Sequence, residues 1–547
     1  MGWAVLILHL AMRSRDQGGL QVWRLKPDLW VWFAKGFWSL LVVNVLVDFC
    51  LGRAHVFHAS MQASELLAAA LVFEAALRWG ADARLRSALW WALCIGGVGQ
   101  CGIGVIQMFV PGWIDGLWVM APLQLGRSVG NVQQPNQLGT LLMWSSFAVG
   151  GLALLGQIRW WFAALCWFML TAVLVWTGSR TGLVALGLFC AWGLLQSGLT
   201  RRLRCAACVQ PAWALLVCAA TVWWSHHFGG LFYANSRAAQ SGGDVTSGRK
   251  ALWSACTDLI MQHPWAGLGA GRFKFAWLFS DLPDRHAGVY GHSHNLVLQW
   301  VLDFGLPRAV ALTTCLALLV GTVLWRWLIT RRRSDSGSTA LAGPWLGILL
   351  VVLFHAQLEH PLTFAYLLLP AAWALGASFS ELASCGGCVD AASAGGNRHR
   401  VDSPSLAMAA AVALLAGCFV LHDYLLVSAT GDPERAPWWG RTQLFEGLVD
   451  EGAILSRDHS SSYQLIIHRA LNALEIRGNP VVLARLSEAY CGQGQVSRAL
   501  YTWHMLQALR MPESPPLQPC QRDEGDAPWV SPGFESYWEG SGAGGAH

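Results

Sequence analysis

The sequence predicts an all-α, polytopic membrane protein of about 11–12 transmembrane helices, with a large periplasmic loop and a small C-terminal helical domain. Three observations lead to this fold class. Hydrophobic residues make up 54% of the 547 residues and charged residues only 13%, whereas ordinary globular chains are about a quarter charged. Apolar runs recur along most of the chain, with a mean hydropathy of +0.40. Basic residues collect in alternate connections between those runs.

The apolar runs define the predicted membrane helices. A stretch of roughly 17–25 apolar residues is long enough to cross about 30 Å of hydrocarbon. We predict spans at about 29–49, 61–79, 87–110, 138–156, 160–177, 181–197, 209–225, 306–329, 344–359, 362–380 and 405–427. The apolar opening, residues 1–12, is too short to span and lacks a signal-peptide cleavage site. It is either part of a longer first helix or a surface helix.

The distribution of Lys and Arg sets the orientation of these spans. Basic residues in short loops mark the cytoplasmic side of a membrane, and they occur in one set of alternate connections, at 13–26, 78–86, 159, 201–204, 326–333 and 398–400. The opposite short connections carry only Arg53, Arg127 and Arg180. Segment 111–137, the loop 226–305 and the chain after about residue 428 are therefore predicted to lie outside the cytoplasm. In a bacterium this side of the inner membrane faces the periplasm.

The chain after residue 427 has the composition of a soluble protein. Within it, 484–500 has the small and aromatic spacing of a tetratricopeptide helix pair, and the end is rich in Pro, Gly and Glu. The predicted plan is therefore N-terminal membrane helices (1–225), a periplasmic catalytic loop (226–305), C-terminal membrane helices (306–427), a TPR-like periplasmic domain (428–511) and a disordered tail (512–547).

Cysteine usage does not indicate a cofactor, and the net charge says little about partners. Most of the 15 cysteines lie in apolar helices and are typical of packing residues. Cys205 and Cys208, and likewise Cys385 and Cys388, lie in polar connections with a spacing that suits zinc. Nothing in the sequence brings the two loops together, so we expect loop cysteines and no metal. The net charge of +5 is divided between two compartments, and we expect no nucleic-acid partner.

An amide-rich loop precedes the predicted span at 138–156. It crowds several hydrogen-bonding side chains around Pro135, namely Asn131, Gln133, Gln134, Asn136 and Gln137. These residues either bind a polar ligand or form a turn that caps the following helix, for which Asn and Pro are ordinary.

Three arginines are candidates for binding an anionic substrate. Arg180, between Gly178 and Gly182 at a membrane face, either meets a cavity or partner or snorkels to lipid phosphate. Arg249 starts a helical pattern, and Arg272 ends a glycine-rich turn. The planar fork of arginine suits a diphosphate; a solvated cationic face is the alternative.

Two histidines close the loop 226–305, which is longer than structural loops usually are. His292, Ser293, His294 and Asn295 directly precede the apolar run 296–302. Histidine can take a proton from an attacking hydroxyl. A metal site is the less favoured alternative, because no nearby Cys or paired acid completes a ligand set. A helix N-cap at Ser293 or Asn295 is the structural alternative, and it is compatible with catalysis.

A second polar cluster lies at the end of a later predicted helix. It either orients the first two histidines or lines the water interface, and it consists of His355, Gln357, Glu359, His360 and Tyr366.

Six of these motifs, in this order, resemble the bacterial O-antigen ligase / O-oligosaccharyltransferase superfamily, most closely its pilin-type, protein O-glycosylating branch. They are Gly-Asn-x-x-Gln-Pro-Asn-Gln (130–137), Thr-Gly-Ser-Arg-Thr-Gly (177–182), Gly-Arg-x-x-x-Trp (248–253), His-Pro-x-x-Gly-x-Gly-x-Gly (263–271), His-Ser-His-Asn-x-x-Leu-Gln (292–299) and Glu-His-Pro-Leu (359–362). The resemblance covers about residues 60–510. It implies a bacterial inner-membrane enzyme, with its active site facing the periplasm, that moves a preassembled glycan from undecaprenyl diphosphate to a Ser or Thr hydroxyl of a pilin-like or other periplasmic protein.

The resemblance also implies roles for individual residues. His294, before Asn295, resembles the essential histidine and would be the general base, with His292 as the alternative. Tyr366 resembles a functional tyrosine. The substrate-binding set would comprise Arg249, which meets the diphosphate, with Arg180 or Arg272 as helpers, together with Asn295. Gln137, or a neighbouring amide (Gln134 or Asn136), would be the essential glutamine.

Three other functions stay open at this stage. Ligation of O-antigen to lipid A-core and polymerisation of repeat units use the same donor and histidine and differ only in the acceptor. The helical C-terminal domain favours a protein acceptor. A transporter or flippase of lipid-linked sugar predicts internal repeats and charges at mid-membrane, whereas this sequence shows no repeat and clusters its charges at one face.

Overall fold

A computed structural model confirms the all-α fold class. It describes residues 2–3, 5–7, 9–10, 29–122, 126–196, 198–228, 248–280, 282, 289–333, 337–384, 407–415, 417–418, 421, 446–455 and 462–509, and no strand occurs in these ranges. The first fourteen helices are α1 (Leu29–Cys50), α2 (Val56–Trp79), α3 (Ala83–Phe109), α4 (Pro135–Leu154), α5 (Trp160–Trp176), α6 (Arg180–Leu195), α7 (Arg201–Cys208), α8 (Gln210–Phe228), α9 (Arg249–Gln262), α10 (Phe273–Phe279), α11 (Leu296–Phe304), α12 (Leu306–Arg333), α13 (Gly337–His355) and α14 (Ala365–Ser384). The C-terminal helices are α15 (Glu446–Leu455), α16 (Tyr463–Ile476), α17 (Pro480–Gly492) and α18 (Val496–Ala508).

Several of these helices are able to cross a membrane. Within the described ranges, five helices are long and apolar enough to do so, namely α1 to α4 and α12. The pair α7 and α8, bent by 42°, adds a sixth if it acts as one span, and α5, α6 and most of α13 are shorter apolar helices. Helices occupy every predicted span from 29–49 to 362–380; the last, 405–427, lies mostly outside the described residues. The chain is thus polytopic, and the total of about 11–12 spans stays a prediction.

Helix α4 runs through the middle of the bundle, and every residue from Gln137 to Leu152 except Leu141 is buried. Close contacts with its neighbours depend on glycine. A Cβ at Gly150 would lie 2.4 Å from the ring of Trp192, and one at Gly151 would lie 2.6 Å from the ring of Trp90. A side chain at either glycine would force a tryptophan ring to move, so α4 packs closely against α3 and α6 through these two positions.

Outside the membrane helices, part of the long loop and the C-terminal helices share one hydrophobic core. Phe273 and Trp277 of α10 are buried in the same cluster as Leu474 of α16. The Tyr501 hydroxyl donates a 2.5 Å hydrogen bond to the Phe279 carbonyl. The C-terminal helices therefore pack on the loop rather than standing apart. Their TPR-like character stays a prediction, and the predicted tail 512–547 lies outside the described residues.

The same C-terminal helices are bonded to the start of α2. His55 Nε2 lies 2.9 Å from Asn472 Oδ1, and His58 Nε2 lies 2.8 Å from the Glu475 carbonyl oxygen. Lys274 Nζ donates to the Ile476 carbonyl at 2.7 Å. These bonds fix loop, C-terminal helices and membrane helices relative to one another at the face where the histidine motif lies.

Candidate active site

The site is centred on Glu359, which follows the end of α13. One carboxylate oxygen, Oε2, lies 3.0 Å from His294 Nδ1. The other, Oε1, lies 2.8 Å from Arg249 Nη2 and accepts a 3.0 Å hydrogen bond from Asn136 Nδ2. Three segments that are far apart in sequence, the amide-rich loop, α9 and the histidine motif, therefore meet on a single carboxylate.

The backbone around His294 is held in an unusual conformation. His294 has φ +55°, a left-handed conformation that costs a non-glycine residue about 1 kcal/mol or more. Asn295 is the N-cap of α11, since its Oδ1 accepts from the Leu298 N–H at 2.9 Å, while its Nδ2 donates to the Gln357 carbonyl at 3.0 Å. The N-cap alternative is thus resolved in favour of Asn295. The bonds of Asn295 stabilise a turn that directs His294 towards Glu359.

The residue before His294 is fixed by buried hydrogen bonds. Ser293 is fully buried; its N–H donates to Gln299 Oε1 at 2.9 Å, and its carbonyl accepts from Trp253 Nε1 at 2.9 Å. Gln299 is itself oriented by a 3.0 Å bond from its Nε2 to Asp303 Oδ1. The histidine turn is thereby anchored to both α9 and α11.

The electrostatics favour an ionised carboxylate at the centre. Burial by itself would raise the pKa of Glu359, but the hydrogen bond from His294 and the charges of His294 and Arg249 outweigh it and lower the pKa to about 2. A carboxylate accepting from Nδ1 leaves the lone pair of a neutral imidazole on Nε2. In this arrangement the carboxylate fixes the orientation of the His294 ring, and a neutral ring is able to accept a proton at Nε2.

Two further histidines lie beside His294 and are uncharged at neutral pH. The ring centroid of His292 lies 4.3 Å from that of His294, and the His360 ring stacks on His292 at 4.7 Å. Burial, together with the neighbouring histidines, lowers the pKa of His292 to about 3, and burial lowers that of His360 to about 4. Within the described residues, His292 Nδ1 is buried without a hydrogen-bond partner. Only His294 of these three lies against the carboxylate.

The amide-rich loop divides its residues between structure and site. Gln134 is the N-cap of α4 and accepts from the Gln137 N–H at 2.7 Å, which is the structural role that the sequence left open. Asn136 contacts Glu359 and also accepts a 2.6 Å bond from Ser179 Oγ. The Tyr366 hydroxyl donates to Gln137 Oε1. The structure therefore brings Asn136 to Glu359, pairs Gln137 with Tyr366, and gives Gln134 a capping role.

The other two arginines lie in different surroundings. Arg180 is exposed at the first residue of α6, and the preceding Ser179 joins its turn to the site through Asn136. Arg272 is only 4% exposed and pairs with Glu475, with Nε and Oε1 3.8 Å apart. Burial lowers the pKa of Arg272. Of the three arginines, Arg249 contacts the carboxylate. Arg180 follows Ser179, which is bonded to Asn136, and Arg272 joins the loop to α16.

The sequence places Glu359 in a polar cluster that either orients the histidines or lines the water interface, without giving it a role of its own; its contact with His294 favours the first alternative. The signal that points to it is an acidic residue directly after a membrane helix and before His360 and Pro361, at the same face as the histidine motif. Within the described residues, no group of three or more His, Cys, Asp or Glu side chains is arranged to hold a metal ion. Cys385 and Cys388 lie outside those residues.

The helices and the site together define a polytopic membrane protein with a histidine–carboxylate pair and an arginine at one end of its bundle. Residues 164–313, which include Arg249 and His294, match the family model of O-antigen ligases. A general O-oligosaccharyltransferase of Acinetobacter baylyi is 27% identical over 128 residues, which is 23% of this chain and 21% of that relative. Both similarities support the relationship to the O-antigen ligase / O-oligosaccharyltransferase superfamily that the motifs predict.

Proposed function

We propose that this protein is a glycosyltransferase that moves a preassembled glycan from undecaprenyl diphosphate to Ser or Thr hydroxyls of periplasmic or pilin-type proteins. The observation that carries the proposal is the contact of His294 and Arg249 with opposite oxygens of Glu359. In this proposal His294 is the general base and Arg249 is the cation that binds the diphosphate, side by side on one carboxylate. The relative of the O-oligosaccharyltransferase type supports the same reaction class.

In the proposed reaction, His294 acts on the acceptor. Its Nε2 takes the proton of the hydroxyl as the oxygen attacks the anomeric carbon of the glycan. Glu359, bonded to Nδ1, stabilises the imidazolium that forms. The side chain of His294 is 23% exposed, so a hydroxyl is able to approach it from solvent. The new bond joins the acceptor oxygen to the sugar, and the proton stays on His294 until it is released to water.

Arg249 acts on the leaving group in this scheme. The bond from the anomeric carbon to the diphosphate oxygen breaks, and undecaprenyl diphosphate departs with the electron pair. A guanidinium carries five N–H donors, and the contact with Glu359 engages one nitrogen, Nη2. The remaining donors suit the diphosphate oxygens, where negative charge grows in the transition state. Arg180, near the same turn, is proposed as a helper.

The periplasmic orientation has two supports. The excess of Lys and Arg in alternate connections is typical of cytoplasmic loops and leaves the site on the opposite side. Cys491, on α17, is disulfide-bonded, and disulfides persist in oxidising compartments such as the bacterial periplasm. The C-terminal helices share a core with the loop that carries the site, so both lie on the same side.

Ligation of O-antigen to lipid A-core is the second candidate, because residues 164–313 match the O-antigen ligase model. The two functions share the donor and the base and differ in the acceptor. A host that supplies a lipid-linked glycan, a pilin and lipid A-core separates them when the masses of pilin and lipopolysaccharide are compared. Glycosylated pilin with the wild type, and bare pilin with an equally abundant His294→Ala variant, is the expected result. Bare pilin together with newly decorated lipopolysaccharide would assign the protein to the ligase branch.

A further inference from the structure

The connection after α3 carries a cluster of exposed apolar side chains. Trp113, Leu117 and Trp118 are 70%, 76% and 77% exposed. Asp115 is the only charged residue from 110 to 122. Large apolar side chains that are exposed together mark a surface that contacts a protein or a membrane. We call residues 111–122 the tryptophan loop.

The tryptophan loop is held in a defined conformation. The Asp115 carboxylate oxygen Oδ1 accepts hydrogen bonds from the N–H groups of Leu117, Trp118 and Val119 at 2.9, 2.8 and 2.9 Å. Gly116 has φ +74°, which glycine adopts without strain. The apolar side chains are therefore presented by a tight turn.

The loop is also bonded to α3 and to the amide-rich loop. Gln107, on α3, is buried; its Nε2 donates to the Met120 carbonyl at 2.8 Å, and its Oε1 accepts from the Gly130 N–H at 2.9 Å. Asn131 donates to the Trp118 carbonyl at 2.7 Å and accepts from the Met120 N–H at 3.1 Å. These bonds fix the position of the tryptophan loop relative to the amide-rich loop, which includes the Glu359 contact Asn136.

We propose that the tryptophan loop inserts into the lipid headgroup region of the leaflet at this face, with Trp113, Leu117 and Trp118 against the acyl chains. The loop begins where α3, a candidate span, ends at Phe109. Phe109 is itself 41% exposed, so the exposed apolar surface continues from the membrane helix into the loop. Tryptophan is enriched at membrane–water interfaces. Asp115, the only charged side chain of the loop, has its Oδ1 bonded to three backbone N–H groups, and the other side chains of the loop are apolar.

Insertion of the tryptophan loop would fix the depth of the amide-rich loop relative to the lipid headgroups. This inference goes beyond the proposed reaction and does not depend on which glycan or acceptor the enzyme uses. It makes the tryptophan loop a membrane anchor for one wall of the site.

Photocrosslinking in native membranes tests the proposal with the full chain. p-Benzoylphenylalanine is introduced in place of Trp118, the membranes are irradiated, and the protein is cut with trypsin and Asp-N. The peptide 115–127, bounded by Asp115 and Arg127, then carries the probe and is weighed by mass spectrometry. The expected result is a peptide with the added mass of a phospholipid.

Two control positions calibrate the experiment. The same probe at Trp32, exposed on the membrane helix α1, should yield lipid adducts, and the probe at Tyr463, exposed on α16, should not. The proposal is overturned if peptide 115–127 is joined to another protein, or if it stays unlabelled while the Trp32 variant is labelled. Should the Trp118 variant not accumulate, the probe at Trp113 applies the same criteria to the neighbouring peptide.

Discussion

Replacement of Glu359 by glutamine removes the charge at the centre of the site and keeps its shape. Glu359→Gln still offers an oxygen to Asn136 and Arg249, but it no longer presents a carboxylate 3.0 Å from His294 Nδ1. An imidazolium formed during acceptor attack would then lack its counter-charge. We therefore expect the variant to fold, to bind donor, and to transfer glycan slowly.

The size of the effect follows from the electrostatics of Glu359. Its pKa is lowered from 4.5 to about 2, which corresponds to about 3 kcal/mol in favour of the ionised form. Through its hydrogen bond and its charge, His294 contributes more to this lowering than Arg249 does, and a hydrogen bond to a charged group is worth ~1.5–3 kcal/mol. A loss of that range in the transition state lowers kcat by about 10- to 150-fold.

The assay compares initial rates of glycan transfer by purified wild type and variant in lipid nanodiscs. With donor and acceptor saturating, kcat should fall while the KM for the acceptor changes little, because the lost interaction is stronger in the transition state. Glu488→Gln is the matched control, since Glu488 forms a surface ion pair with Arg485 on α17. A Glu359→Gln rate within twofold of the wild type would refute the assigned role.

Three other predictions follow from the same geometry. Burial lowers the pKa of His360 to about 4, whereas an unfolded histidine titrates near 6.5. The contribution of His360 to the free energy of unfolding is therefore fully present above about pH 6.5 and falls as the pH drops towards 4, by about 2 kcal/mol at pH 5. Hydrogen exchange of residues 291–305, corrected for intrinsic rates, should rise accordingly, and should rise less in His360→Gln. Arg249→Lys keeps the charge but loses the planar fork, so the KM for the donor should rise about tenfold or more, and an unchanged KM would contradict diphosphate binding. Asn136→Ala should slow transfer, whereas Gln134→Ala should lower the free energy of unfolding by about 1 kcal/mol with a smaller change in rate; equal effects in both assays would contradict this division of roles.

The helices could be predicted from the sequence because their signals are local. A membrane helix requires a run of apolar residues whose length is set by the bilayer, and that run is visible without knowing its neighbours. The same is true of the helix starts: Pro135 and the amides before it indicate the beginning of α4. The motif residues His294, Arg249 and Asn136 could also be singled out, because each belongs to a polar motif between predicted membrane helices.

What the sequence could not predict is the pairing among these groups. Glu359 lies 110 residues from Arg249 and 223 residues from Asn136 along the chain, and no periodicity relates such distant positions. The assignment of Arg272 had the same weakness. Its place in a glycine-rich turn indicated an anion site, but the packing of α16 on the loop supplies Glu475 as its partner. Long-range packing decides which charges meet.

The central claim is that His294 is the base that activates an acceptor hydroxyl for glycan transfer. The most direct measurement incubates the purified protein with an undecaprenyl-diphosphate-linked glycan and a purified pilin-type acceptor, and weighs the acceptor. The wild type should add the mass of one glycan, His294→Ala should leave the acceptor unchanged, and His468→Ala, at an exposed histidine of α16, should behave as the wild type. Equal modification by the His294→Ala variant would contradict the claim.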